Sequence, residues 1–439
     1  MRRAPVLFLF LVPRLLLAQS AAAPQSVAGR WTVTTESHGI PEYFSLNLVQ
    51  QGDKLTGDFS GDKLEGTVSG NSVHFLGRDD QGGTDDGNAT LKSGVLTGTV
   101  VLIYGGDTTR PDTRQFTARL VPKRSEGPAR RHEFVPTTFY RQFSPAIEPV
   151  LTIAAGDTVH TTTVDAGGTD EKGVQRVRGG NPQTGPFAIE NAAPGDTLVV
   201  RITKLRLNRE WAVSDDGIVE RGLNSDLAVK MKDGGKNLRW HLDARQGLAT
   251  PEKPTEHLAG YSVPLRPMLG CVAVAVSPGQ APPGTGDSGR FGGNMDFNEI
   301  VEGTTVYLPV SVPGALLYVG DAHAVQGDGE LNGDALETSM DVEFAVDVIP
   351  GGHLDGPRME TATHLLAMGL DGSLDGAFRN ATANMAQWLS DVYKLTPSEV
   401  AQVLGTAAEY KISEVADRNA GIVLKISKER LKTLTPPAK

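Results

Sequence analysis

Short alternating runs, cut by glycine and proline, constrain this chain more than any other feature. Trp31-Thr-Val-Thr, Phe44-Ser-Leu-Asn-Leu-Val-Gln, Val73-His-Phe-Leu, Val95-Leu-Thr-Gly-Thr-Val and Phe116-Thr-Ala-Arg-Leu are punctuated by turns such as Gln51-Gly-Asp, Ser69-Gly-Asn and Lys92-Ser-Gly. Successive strand side chains point to opposite faces, so each run offers one face to a core and one to water. With 51 glycines and 27 prolines in 439 residues, the pattern favours a β-rich fold over a helical bundle. Residues 28–121 read as an antiparallel meander closing as a small sandwich or barrel, an accessory domain with no catalytic cluster of its own.

Residues 122–135 are polar, basic and rich in Pro and Gly, and read as a linker; residues 136–439 then form the main domain. Strands return there, among them Val150-Leu-Thr-Ile, Thr197-Leu-Val-Val-Arg-Ile, Val272-Ala-Val-Ala-Val and Ala315-Leu-Leu-Tyr-Val. Ala155-Gly-Asp-Thr158 and Pro194-Gly-Asp-Thr197 read as one turn chemistry used twice. Near the end, Leu374, Ala377, Phe378, Ala381, Met385, Trp388, Leu389 and Val392 recur at helical spacing, and Thr396-Pro-Ser-Glu399 is a capping box opening a second helix.

Arg2-Arg3, the apolar run Val6–Val12 and the small residues Ala18–Ala23 have the layout of a cleavable secretory signal over residues 1–23, so an exported protein, periplasmic or extracellular, is expected. No later run approaches the ~20 apolar residues of a membrane span. Lys and Arg number 42 against 52 Asp and Glu, a net charge of −10 that argues against a nucleic-acid partner. Cys271 is the single cysteine, set in an apolar strand, so no intrachain disulfide forms and any metal must be held by nitrogen and oxygen.

One segment carries candidate chemistry. Residues 320–337 follow an apolar strand and gather Asp321, His323, Asp328, Glu330, Asp334 and Glu337. So many carboxylates repel one another unless water spreads them or a cation neutralises them. One imidazole among carboxylates suits zinc or a similar divalent ion, which lowers the pKa of bound water, while a carboxylate off the metal shuttles the proton. Calcium is the alternative ion, but Glu330 and Ser339 break the EF-hand pattern and strands replace its helices. No Gly-x-Ser-x-Gly elbow, phosphate loop or dinucleotide fingerprint is present.

Asn181-Pro-Gln-Thr-Gly-Pro186, Ala193-Pro-Gly-Asp196, Arg266-Pro-Met-Leu-Gly270, Gly292-Gly-Asn-Met-Asp296, Tyr307-Leu-Pro-Val, Val312-Pro-Gly-Ala-Leu and the stretch from Gly320 to Glu330, ending in Ala335-Leu-Glu-Thr338, together resemble the acetamidase/formamidase family. The likeness runs from about Phe143 through the C-terminal helices. It implies an α+β, β-rich chain, with the small antiparallel β domain followed by a β-sandwich-like amidohydrolase core and C-terminal helices. It also implies metal-dependent hydrolysis of short linear amides to a carboxylic acid and ammonia, in a homo-oligomer. By the same similarity Asp165, His323 and Asp328 are metal ligands, with Asp321 able to replace Asp328. Glu330 is the general base, with Asp296 as alternative, and Asn181, Thr184, Gly185 and Asn294 contact the amide. The rival expectation is an exported non-catalytic binding protein with structural calcium in the acidic loop. Val272-Ala-Val-Ala-Val-Ser departs from the family's usual glycine- and Ala-Pro-containing continuation, and the N-terminal β block is an addition to its simplest members.

Overall fold

The structure, a computed structural model, describes residues 26–124 and 127–434. The signal sequence read in residues 1–23 lies outside the described residues.

Eight antiparallel strands, from Gly29–Ser37 to Asp112–Leu120, close into a barrel in sequence order, the first pairing with the last through Trp31 and Leu120. The alternation in the sequence is the cause. Trp31, Val33, Leu46, Phe75, Leu96 and Phe116 point inward and are buried, while their neighbours face water. Phe44, Phe59 and Phe75 stack with centroid spacings of 5.5 and 5.6 Å, so side chains fill the interior.

Downstream, a nine-stranded and an eleven-stranded sheet share one apolar core. Leu198, Val200, Val342 and Phe344 of the first sheet and Phe187, Leu269, Val272 and Val319 of the second belong to it. The strand Leu317–His323 is buried at all seven positions, which explains its unbroken apolar start. Helix Leu374–Tyr393 lies on the nine-stranded sheet and buries Ala377, Ala381, Met385 and Leu389. Leu374, Phe378 and Val392 of the predicted stripe remain exposed, so the face that packs is narrower than the apolar face. The next helix, Pro397–Ala407, starts with the predicted box, Thr396 and Glu399 each bonding the other's backbone N–H. No helix among the described residues is long and apolar enough to cross a membrane.

Inside the stretch read as a linker, Arg131–Glu133 forms an edge strand parallel to Thr158–Thr162. Its basic residues have buried partners, since Arg130 and His132 both bond Asp157. Asp157 accepts from Ala154 N at 3.1 Å and Asp196 accepts from Ala193 N at 2.9 Å, so the two Gly-Asp-Thr turns do share one chemistry. Asp196 also receives Arg30, which pins the barrel to the sandwich.

Candidate metal centre and active site

The site sits where Leu317–His323 runs between Met268–Val274 and Glu337–Thr338. Gly270 lies beneath it, and a Cβ there would overlap the carboxylates of both Asp321 and Asp296. The glycine of the Pro-Met-Leu-Gly motif therefore makes room for two acids over bare backbone. Asn181, Asp296, Asp321 and Glu330 all have left-handed backbones, with φ of 57, 37, 54 and 49°. Such conformations are costly for side-chain-bearing residues and persist only where surrounding structure imposes them. Here they turn acids inward.

His323 is fully buried among Asp296, Asp321, Glu330 and Glu337, themselves 1 to 7% exposed. Its Nε2 lies 3.2 Å from Glu337 Oε1, 3.6 Å from Asp321 Oδ2 and 4.0 Å from Asp296 Oδ1; its Nδ1 lies 3.9 Å from Glu330 Oε1. Gln326 decides the tautomer. Its Nε2 donates to the carbonyls of Asp296 (2.5 Å) and Ser413 (3.2 Å), which leaves Oε1 to accept from His323 Nδ1–H at 2.9 Å. That bond leaves Nε2 as the ring atom that would ligate once deprotonated, on the side where three carboxylates converge.

Burial, then repulsion from Glu330 and Asp321, pushes Asp296 well above the usual carboxylate range. Burial and the charges of Asp321 and Glu337 do the same to Glu330. Burial and Asp321 likewise push Glu337 up. Burial alone would lower His323, but Glu337 and Asp321 override it and raise its proton affinity well above normal. The cluster therefore favours positive charge at its centre, whether a proton on the imidazole or a bound cation. Asp296 Oδ1 and Asp321 Oδ1 have no hydrogen-bond partner, although buried oxygens of this kind are normally satisfied. Asp296, Asp321 and His323, and again His323, Glu330 and Glu337, bring one donor atom each within 4.8 Å of one another. One imidazole nitrogen with orphaned carboxylate oxygens fits a divalent cation such as zinc.

A cavity of about 740 Å³ opens onto Asp321, Glu330 and Glu337, with Tyr140, Arg141, Asn181, Asn294 and Asp417 in its walls. Asn181 Nδ2 donates to Asn294 Oδ1 (2.5 Å), and Asn294 Nδ2 donates to Asp296 (2.5 Å) and Asp417 (2.8 Å). Both asparagines named from sequence thus line the cavity, but their amide hydrogens are already engaged. Thr184, fully buried, donates to Thr162 O, and neither it nor Gly185 lines the cavity.

Of the ligands expected by resemblance, His323 and Asp321 come together; Asp165 and Asp328 do not join them. Asp165 is engaged by buried Arg209 at 2.7 Å and by Thr169 N at 2.8 Å, and this pairing neutralises it. Asp328 is half exposed and accepts from Asn298 (2.8 Å) and Lys411 (3.0 Å). Asp296, expected as an alternative base, stands among the donors instead, and Glu330 lies on the Nδ1 side of the imidazole. Reading the sequence missed Glu337 as a donor, Gln326, Arg209, Glu414 and Asp417. Gln326 had a signal, standing three residues after the histidine in the same motif. Glu414 and Asp417 had none, because only the fold brings that distant loop to the site.

Known proteins resemble this region. The Acetamidase/Formamidase family profile matches residues 281–423. A protein of Schizosaccharomyces pombe assigned as a formamidase is 27% identical over 218 residues, 39% of this chain; the match spans about half, 52%, of that relative's length. A formamidase of Methylophilus methylotrophus is 24% identical over 53% of this chain and 72% of its own. A crystal structure of an acetamidase/formamidase assigned in Thermoanaerobacter tengcongensis superposes with a TM-score of 0.60 at 28% identity, covering 70% of this chain and 99% of that one. An acetamidase from Bacillus halodurans gives 0.58 at 28% identity, covering 69% and 99%. The likeness to the acetamidase/formamidase family carried by the sequence motifs thus holds in sequence over residues 281–423 and in fold over about 70% of the chain.

Proposed function

We propose that this chain is an exported hydrolase of short linear amides, working at a divalent-metal centre on His323 and releasing ammonia and a carboxylic acid. One observation carries the reading: a buried imidazole whose Nε2 faces three carboxylates, two of them with an orphaned oxygen, beside an open cavity that Asp321 and Glu337 line. The names of the relatives support the substrate class, and the leader pattern of residues 1–23 supports export.

His323, Asp321, Asp296 and Glu337 are the residues that would hold the ion. A bound divalent cation supplies Lewis acidity towards a carbonyl oxygen and makes water easier to deprotonate. Glu330, buried and with raised proton affinity, is placed to take a proton from water and return it to the departing nitrogen, a poor leaving group until protonated. Asn294 and Asn181 fix the donor Asp296 from outside. Cys271 offers no thiolate: it is fully buried, and burial pushes its thiol well above its normal range.

The test combines metal analysis of the purified protein with ammonia release from formamide and acetamide, before and after chelation. Stoichiometric zinc or a similar ion, and turnover abolished by chelation and restored by metal, are expected. Full activity in metal-free protein would refute the mechanism. Tight metal binding with no turnover on an amide panel would favour a binding protein instead.

A further inference from the structure

Residues 413–419 join the strands Glu409–Ile412 and Ala420–Ser427 and run beside the loop that carries Glu330. Gly329 N donates to Ser413 O (3.1 Å) and Val415 N donates to Gly329 O (3.0 Å), while Asp417 N donates to the buried carboxylate of Glu414 (3.2 Å). From the opposite side Arg221, in the short turn Glu220–Gly222, spends its guanidinium on backbone carbonyls. It donates to Val415 O (3.2 Å), Asp417 O, Arg418 O (2.6 Å) and Gly372 O (3.4 Å). The turn is itself tied down, since Val219 N donates to Leu331 O at 2.9 Å. Arg221 is exposed, yet its rigid fork of donors fixes the backbone on which Asp417 stands.

Asp417 lines the cavity but belongs to neither group of metal-competent donors. One oxygen, Oδ2, accepts from Asn294, whose same amide nitrogen also bonds Asp296, so Asp417 stands beside the donor set without being part of it. Asn294 and Asn181 have no amide hydrogen to spare. Among the described residues no hydrogen bond ties Asp334, another acid in the wall, to the donors. A primary carboxamide presents an acceptor oxygen on one side and two N–H donors on the other. With its oxygen turned to the positive centre, its nitrogen needs an acceptor, and the remaining lone pairs of Asp417 are placed to serve.

We propose that Asp417 is the specificity-determining acceptor for the NH2 group of a primary amide, and that Arg221 is a positioning residue acting through the loop backbone. The assignment rests on the amide-hydrolase reading above. An N-alkyl group removes one donor and brings a methyl against a carboxylate, so the site selects against N-substituted amides. A hydrogen bond to a charged group corresponds to about 10–100-fold in rate or affinity.

The test measures kcat and KM on acetamide, and N-methylacetamide as substrate or competitive inhibitor, for the wild-type chain and for Asp417→Asn, Asp417→Ser, Arg221→Ala and Arg221→Lys. Metal content and hydrogen exchange at residues 415–418 are measured alongside. The wild type should prefer acetamide. Both Asp417 variants should lose about 10–100-fold in kcat/KM on acetamide, chiefly through KM, with a smaller change for N-methylacetamide and unchanged metal content. Arg221→Ala should speed exchange in the loop and narrow the same preference, and Arg221→Lys should restore part of both. Proportional losses on the two amides in both Asp417 variants would overturn the role of Asp417. A loosened loop with the preference intact would overturn that of Arg221. A wild-type chain that turns over neither amide would instead overturn the hydrolase reading itself, and that result is read before any variant is made.

Discussion

The barrel and the sandwich end are built from the same kind of short strand and treat their polar groups in opposite ways. In the barrel, polar residues alternate outward, and its left-handed residues His38, Ser60 and Ser93 sit at exposed hairpin tips. At the sandwich end the alternation stops. Leu317–His323 is buried throughout, two of its last three residues are ionisable, and the left-handed residues include three buried carboxylates and an asparagine. Strain at a turn tip only reverses the chain, whereas strain under a buried acid holds a charge where solvent would otherwise have taken it.

Two glycines break the comparison most directly. Gly270→Ala would push a methyl into the carboxylates of Asp321 and Asp296, while Gly87→Ala would push one into the buried ring of Phe75. Gly270→Ala is expected to cost bound metal and roughly a thousandfold in ammonia release, the rate equivalent of several kcal/mol, with the barrel unaffected. Gly87→Ala is expected to destabilise the barrel by ~1–3 kcal/mol and leave turnover alone. Metal analysis, ammonia assay and urea unfolding read both outcomes. Equal effects of the two variants on turnover would remove the distinction between the regions.

A smaller effect sharpens the tautomer argument. Gln326→Leu keeps the bulk but leaves His323 Nδ1 without its acceptor and the Asp296 carbonyl without the Gln326 donor. Metal affinity should fall about 10–100-fold, the usual cost of losing the partner that orients a ligating imidazole. A titration that shows unchanged affinity would mean that Nε2 is not the ligating atom.

How much of this was legible beforehand divides along the same line. The barrel strands were, because a period of two needs only neighbours in sequence to be recognised. So was the capping box at Thr396, which is local chemistry. The site was legible in part. His323, Asp321 and Glu330 share one stretch and one motif, but whether a carboxylate is free to ligate depends on its partner. Nothing near Asp165 in sequence announces Arg209, 44 residues on, and nothing near Asp328 announces Lys411. Asp417 lies beyond local reading for the same reason, since only the pairing of Glu409–Ile412 with Ala420–Ser427 and the ties to Gly329 deliver it.

The smallest expected effect lies in the barrel, which has its own crowd of acids. Asp85 is half buried beside Asp62 and near Asp79, and burial followed by the Asp62 charge raises its pKa to about 7 from 3.8. Here a proton can relieve the crowding that, at His323, a cation would relieve. The sign follows from linkage: a carboxyl that binds its proton more tightly folded than unfolded contributes stability below its unfolded pKa, and that contribution is lost as pH rises through the folded value. The barrel should therefore weaken between pH 4 and 7, by an amount that its partial exposure to solvent reduces. Asp85→Asn should flatten that dependence and raise the barrel's unfolding midpoint at pH 8 by a few degrees, read at Trp31 by fluorine NMR of a fluorotryptophan-labelled chain. Turnover should keep its own pH profile, because neither Asp85 nor Asp62 lines the cavity beside His323. A variant that shifted both profiles would show that the barrel rim and the metal-competent pocket are one electrostatic system after all.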